Sequence, residues 1–159
     1  MGKINTIFLD MDGVICDFRK KCESLNCISG YKVDWKVVHS DGSHFWETIE
    51  WIPGGKEFYE WLVKLCEQEE MDLYILTAVN YTDGKIGKLN WLKSNTKFDR
   101  HHIIIVNNGS EKAYYASTDA LLIDDFGKNC KAFGDADGLY VKHENFEDTQ
   151  GKILEILGS

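Results

Sequence analysis

Asp10 and Asp12 stand two residues apart at the end of the apolar run Ile7-Phe8-Leu9, with Met11 between them and Gly13-Val14 after them. Such a pair at one strand end supplies a nucleophile and a proton donor. A carboxylate attacks phosphorus only if a cation offsets the repulsion between the two anions, so further acids are needed to hold a metal. Asp124 and Asp125 supply them, closing a second apolar run, Leu121-Leu122-Ile123. Four acids gathered at two adjacent strand ends would raise one another's pKa, an arrangement that makes sense around a divalent cation such as Mg²⁺ with oxygen ligands. Two simpler readings remain open: Asp12-Gly13 as the turn of a β-hairpin, and Asp124-Asp125 as the start of a turn or a helix cap.

Other residues fit the same chemistry. Tyr74-Ile75-Leu76-Thr77-Ala78 ends a third apolar run, and there the Thr77 hydroxyl and the backbone N–H groups around Ala78 can hold phosphate oxygens, or Thr77 is a structural strand-terminal residue. Lys112 brings positive charge to a phosphorylated acid cluster, or else is a solvated surface lysine. Phe45 and Trp46, with Trp35, form a stacking wall for a nucleobase, or a miniature core.

These residues need strands to align them. Apolar or β-branched runs at 4–9, 72–76, 101–106, 120–123 and 138–141 alternate with helical patterns, which predicts a parallel α/β sheet. The near-continuous apolar character of Ile103 to Val106 and of Leu121 to Ile123 marks both as central strands. Helices are expected over 55–69, where Phe58, Trp61, Leu62 and Leu65 share a face, over 83–94 with Ile86, Leu89, Trp91 and Leu92 inward, and over 146–157. The aromatic-rich stretch 17–52 interrupts the alternation and reads as a small helical cap inserted after the first strand. Ligands of open α/β sheets sit beyond the carboxyl ends of the strands, so such a cap roofs the site.

The 159 residues suffice for one domain, 1–159, with that single insertion. No apolar stretch approaches the ~20 residues of a membrane helix. A net charge of −8 disfavours a broad nucleic-acid surface and suits small phosphorylated molecules with a metal. The five cysteines lack Cys-x-x-Cys spacing and read as reduced thiols. Lys3 leads into the acidic motif rather than a signal-peptide core, so a cytoplasmic protein is expected. Met1-Gly2-Lys3-Ile4-Asn5-Thr6 meets the loose myristoylation pattern, although a strand from Ile4 leaves Gly2 little freedom.

Taken in order, Asp-x-Asp-Gly-Val, Leu-Thr, a lysine and Ile-Asp-Asp resemble the motifs of the haloacid dehalogenase (HAD) superfamily. Within it, Phe8 to Phe18, Ile52-Pro53-Gly54-Gly55, Lys88-Leu89-Asn90-Trp91-Leu92 and Leu121 to Asp125 resemble the 5'(3')-deoxyribonucleotidases, the C-type 5'-nucleotidases. The chain departs from that family at Ala78, where a serine is usual, and in its shorter cap. The resemblance implies a Rossmannoid three-layer fold with a central parallel sheet. It also implies an aspartyl-phosphate on Asp10, proton transfer by Asp12, and Mg²⁺ on Asp10, the Asp12 carbonyl and the Asp124-Asp125 pair. For Lys88 the resemblance implies a reach to the phosphate from its helix, and a solvated residue is the alternative. The expected substrate is a nucleoside monophosphate. Another small phosphorylated metabolite, or a catalytically silent nucleotide-binding or interaction module, are the alternatives. Gly134 to Gly138 is expected to be a loop, His101 and His102 to lie at the far end of the sheet, and His39 and His44 to lie in the cap.

Overall fold

The computed structural model describes residues 3–158; Gly2, on which the myristoylation pattern rests, lies outside the described residues. Strand β1 (Thr6–Leu9) leads into the insertion, which holds α1 (Phe18–Ser24), the short hairpin β2 (Ile28–Ser29) and β3 (Lys32–Val33), α2 (Trp35–Ser40) and α3 (His44–Glu47). There follow α4 (Gly55–Gln68), β4 (Asp72–Ala78), α5 (Thr82–Asn95), β5 (Ile103–Val106), β6 (Ala120–Asp124), α6 (Gly127–Asp135), β7 (Leu139–Lys142) and α7 (Phe146–Leu157). Two 3-10 segments, Arg100–His102 and Gly109–Tyr115, flank β5. No described helix is long and apolar enough to cross a membrane.

The large sheet runs β5-β4-β1-β6-β7, and all its pairings are parallel. This excludes the hairpin: β1 pairs with β4 and β6, while Met11 O takes the N–H groups of Val14, Ile15 and Cys16 in a tight turn. Alternate side chains enter opposite layers, as the strand's period of two requires. Ile7, Leu9, Ile75, Leu121 and Ile123 join the larger apolar cluster with Phe58 and Leu62 of α4, Trp91 and Leu92 of α5 and Ile153 of α7. Phe8, Leu76 and Leu122 join Phe133 of α6 on the other face. The result is the expected three-layer α/β architecture, a HAD-like Rossmannoid fold.

Two expectations are corrected. β5 is an edge strand, not a central one. Its unbroken apolar run reports cover on both faces, since Ile105 packs into the larger cluster and Ile104 into the smaller. On α5, Trp91, Leu92 and Leu89 pack on the core as expected, but Ile86 is 44% exposed, and Gly84, Gly87 and Lys88 complete the buried face. A Cβ at Gly87 would meet Ser43 O and Trp46 Cβ, both at 2.6 Å. The missing side chain lets α3 of the insertion lie directly on α5.

The insertion has no separate core, because Cys22, Cys27, Val38, Phe45, Trp46 and Ile49 belong to the larger cluster. Its two connections are clasped by hydrogen bonds from Asp17 N to Glu50 O and from Ile52 N to Ile15 O, both 2.8 Å. All five cysteines are free and buried.

Candidate active site

Register brings the acids together. Leu9 pairs with Ile123, and Asp10 N donates to Ile123 O at 3.0 Å, so Asp10 and Asp124 follow side by side at the carboxyl ends of neighbouring strands. The chain builds outward from β1 to β4 and β5, then returns to β6 and β7 on the other side. The gap between β1 and β6 is therefore the switch point where open α/β sheets bind ligands.

Asp10, Asp124 and Asp125 offer carboxylate oxygens within 4.8 Å of one another. Between two of them stands Lys112, 2% exposed, whose Nζ donates to Asp10 Oδ1 at 2.9 Å and to Asp124 Oδ2 at 2.8 Å. Burial alone would lower the Lys112 pKa, but the charges of Asp10 and Asp124 overcome it and raise it. Lys112 rides on the 3-10 segment, whose start is tied by Asn108 N donating to Glu111 Oε1 at 2.8 Å. Of the solvated and site readings of this lysine, the geometry places it in the acid cluster.

The two acids of β6 differ in availability. Asp124 is fully buried with both oxygens engaged: Oδ1 accepts from Phe126 N at 2.9 Å, and Oδ2 from Lys112 and from Asn129 Nδ2 at 3.2 Å. Asp125 stands at the open side of the cleft. Loss of water around its carboxyl and the neighbouring charges of Asp10 and Asp124 push its pKa up to about 7. Burial and Asp10 also raise that of Asp124. A set of hard carboxylate oxygens with raised pKa values, one of them lightly engaged, suits a cation such as Mg²⁺. Gly13 makes room for this: its φ is +83°, and a Cβ there would overlap the Asp125 carboxylate.

A pH dependence follows. Because the folded pKa of Asp125 lies above its ordinary 3.8, its favourable contribution to stability is present at low pH and lost as pH rises toward about 7. In chelator, the Asp125→Asn variant should melt increasingly above the wild type as pH rises from about 4 to 7. Parallel melting curves against pH would show that Asp125 carries no such repulsion.

Asp12 pairs with a different lysine from the one between Asp10 and Asp124. Its Oδ2 accepts from Lys88 Nζ at 2.8 Å, whereas its Oδ1 is buried without a hydrogen-bond partner among the described residues. An orphan oxygen of this kind costs about 1–3 kcal/mol and calls for a functional reason. Asp12 lines two cavities. One, about 440 Å³, is walled by Asp10, Thr77, Ala78, Lys112, Asp124 and Asp125. The other, about 310 Å³, is walled by Phe18, Trp35, Trp46, Tyr81, Asn80 and Asn107.

Thus Asp10, Asp12, Thr77, Ala78, Lys112, Asp124 and Asp125 converge. Lys88 lies behind them, 1% exposed, and lines neither cavity. Its ammonium is committed to Asp12 and to Thr77 Oγ1 at 2.5 Å, so the expectation of a direct phosphate contact does not match its position. Phe45 is fully buried and forms core rather than wall. Trp46 shows one edge to the second cavity, donates from Nε1 to Tyr81 Oη at 2.6 Å and stacks on Phe18 with centroids 5.6 Å apart. His39 packs on Tyr81 at 4.3 Å, whereas His102 pairs with Asp99 at the start of β5, away from the acids. Gly134 and Asp135 end α6 rather than opening a loop.

Tyr81, Lys128 and Asn129 escaped the sequence reading. Tyr81 lies three residues beyond Ala78, past the strand end; Lys128 and Asn129 lie in the first turn of α6, a helix the apolar pattern did not announce. The available signal was position, since all three follow strand ends that carry site residues.

Neither a protein-family model nor a curated protein matches the sequence. Among solved structures, the chain is similar to a hydrolase from Streptococcus pneumoniae TIGR4, with 10% identity over 97% of this chain and 100% of that one, at a TM-score of 0.59. It is also similar to a HAD family enzyme from Bacteroides thetaiotaomicron, a mutant crystallised with magnesium and inorganic phosphate. There the identity is 14%, covering 89% of this chain and 94% of that one, at a TM-score of 0.51. At such identities the likeness is one of fold.

Proposed function

We propose that this chain is a Mg²⁺-dependent phosphomonoester hydrolase, acting on nucleoside monophosphates in the manner of a 5'(3')-deoxyribonucleotidase. The observation that carries the reading is the place of Asp12. It is shared by the acid-walled cavity, which suits a phosphoryl group, and the aromatic cavity, which suits a flat organic group. In this reading the bond to be cleaved lies where the two cavities meet. Apart from Asp12, the lining of the second cavity is uncharged and largely aromatic, with no cation to meet a second phosphate, which favours a nucleoside over a sugar carrying one.

Bound on Asp10, Asp125 and the neighbouring Asp124, with the Asp12 carbonyl, Mg²⁺ would offset the negative charge of the phosphoryl group and the attacking carboxylate. The chain's own groups do the rest. An Asp10 oxygen forms a bond to phosphorus while the ester P–O bond breaks, and protonated Asp12 gives its proton to the departing alkoxide. Asp12, now a carboxylate, takes a proton from water. The water oxygen bonds to phosphorus, the P–O bond to Asp10 breaks, and inorganic phosphate leaves with Asp10 restored. Lys112 holds charge on the phosphoryl oxygens near Asp10, and the Thr77 hydroxyl and the Ala78 backbone cradle them.

Phosphate release from 5' and 3' nucleoside monophosphates, ribo and deoxy, beside sugar phosphates, with Mg²⁺ and with EDTA, tests this directly. Metal-dependent release favouring deoxynucleotides is expected. A sugar phosphate preference would retain the phosphatase and discard the nucleotidase. No release from any ester would favour a silent binding module, a reading that leaves the nucleophile and acid pair unused.

The aromatic cavity is tested by Trp35→Ala, since Trp35 is 47% exposed and can be removed without opening the core. Stacking on one aromatic is worth about 1–3 kcal/mol, so KM for nucleotides should rise about 10-fold while KM for a small phosphate ester stays unchanged. Equal rises for both would show that Trp35 supports the cap and not the base.

A further inference from the structure

Lys88 is a buried cation for which the proposed chemistry gives no direct use. It sits on α5 with 1% exposure, its Nζ 2.8 Å from Asp12 Oδ2, 2.5 Å from Thr77 Oγ1 and 5.0 Å from the centre of the Trp46 ring. Burying an ammonium is costly unless it is paired and hydrogen-bonded, and among the described residues Asp12 is its one carboxylate partner. A surface reading and a phosphate-ligand reading both fail on position, since the side chain borders neither solvent nor either cavity.

We propose that Lys88 is a positioning residue that acts through Asp12 and Thr77, selecting the Asp12 oxygen that carries the transferred proton and the direction in which the Thr77 hydroxyl donates. This rests on the phosphatase reading above. An ammonium has three donors and no acceptor. Asp12 Oδ2 is therefore held as an acceptor, and the proton for the leaving group resides on Oδ1, the buried oxygen with no partner among the described residues. Thr77 Oγ1 must likewise accept from Lys88, so its own hydrogen is turned away from α5. Thr77 borders the acid-walled cavity, where that hydrogen meets a phosphoryl oxygen.

The Trp46 ring closes the arrangement from the insertion. It covers the ammonium by a cation–π contact and keeps water from competing for Nζ. Because Trp46 reaches Lys88 across the Gly87 contact between α3 and α5, seating of the insertion and orientation of the acid depend on the same few residues.

The test separates action through the acid from support of the fold. For wild type and Lys88→Met, kcat/KM is measured on phosphate esters graded from alkyl leaving groups to p-nitrophenolate, all with Mg²⁺. General acid catalysis is worth about 10²–10⁴-fold, and p-nitrophenolate leaves without a proton. Lys88→Met should lose about 100-fold or more on alkyl esters, seen in kcat more than in KM, and about 10-fold or less on p-nitrophenyl phosphate. An equal loss on every ester, or a loss seen only in KM, would overturn the proposal while leaving the phosphatase intact.

Should Lys88→Met leave Asp12 too exposed as an unpaired charge to fold, the pair Asp12→Asn and Asp12→Asn/Lys88→Met removes that charge. On alkyl esters, Lys88→Met should then cost about tenfold or less beyond Asp12→Asn, because its route through the acid is already gone and only the Thr77 route remains. Independent, multiplying losses would overturn it. A wild type that releases phosphate from none of these esters overturns the phosphatase reading, and the proposal with it.

Discussion

Replacing Asp10 by asparagine is expected to lower phosphate release about 10⁴-fold or more while the protein stays folded. An amide oxygen is a poor nucleophile toward phosphorus and a weaker ligand for a hard cation, so both functions assigned to Asp10 fail together. The fold should survive because asparagine keeps an oxygen within reach of Lys112 Nζ, now 2.9 Å from Asp10 Oδ1. One of three mutually repelling carboxylates also disappears, so the melting temperature in chelator should equal or exceed that of the wild type. Acid-quenched wild type should carry phosphate in a hydroxylamine-sensitive bond, and the variant should carry none. Turnover within about tenfold of wild type would remove Asp10 as the nucleophile.

Lys112→Met should be damaging in both activity and stability, which distinguishes it from the first variant. Lys112 is the cation that the chain places between Asp10 and Asp124. Removing one partner of a buried ionic cluster leaves uncompensated charge, at a cost of about 3–5 kcal/mol. For a chain of this size that corresponds to a fall in melting temperature of about 10 °C. The gap should narrow toward pH 5, because Asp124 and Asp125, whose pKa values are already raised, relieve the repulsion by taking up protons. Turnover should fall about 10³-fold, and added Mg²⁺ should restore more of the melting temperature than of the turnover, since it neutralises acids without replacing the ammonium's hydrogen bonds. A variant that melts like wild type would show that Lys112 does not offset the cluster.

The two variants bear on one feature from opposite sides: an excess of carboxylate that Lys112 holds in check. Asp10→Asn relaxes the excess and Lys112→Met releases it. Stability moving in opposite directions, with activity lost in both, is a pattern that a general disturbance of packing would not produce.

The strands and their carboxylate ends could be read from the residues. A strand covered on both faces must be apolar throughout, and a break into Asp-x-Asp or Asp-Asp then stands out against it. The three long helices 55–69, 83–94 and 146–157 were found to within a residue at nearly every boundary, because apolar spacing, Pro53 and the flanking polar residues mark their ends. α6 was missed because its apolar contribution is small, with Cys130 and Phe133 as its buried residues. On α5 periodicity placed Leu89, Trp91 and Leu92 correctly and failed at Ile86: Gly84 and Gly87 bring backbone close to Val79 and Trp46, so the buried face extends over residues with no apolar side chain to announce it.

The amino-acid sequence by itself carried the kind of chemistry proposed, since the types and local spacing of Asp10, Asp12, Asp124 and Asp125 survive any arrangement in which their strands run parallel. Only the tertiary structure decided which groups meet. Strand order made Ile103 to Val106 an edge, and register set Asp10 beside Asp124 across more than a hundred residues of chain. It also turned Lys88 inward, against the ordinary rule that lysine faces water, because a carboxylate and a hydroxyl from two other strand ends await it there. Spacing along a chain reports on neighbours within one element. The partners of a buried charge come from elements distant in sequence, so they become known when the layers pack.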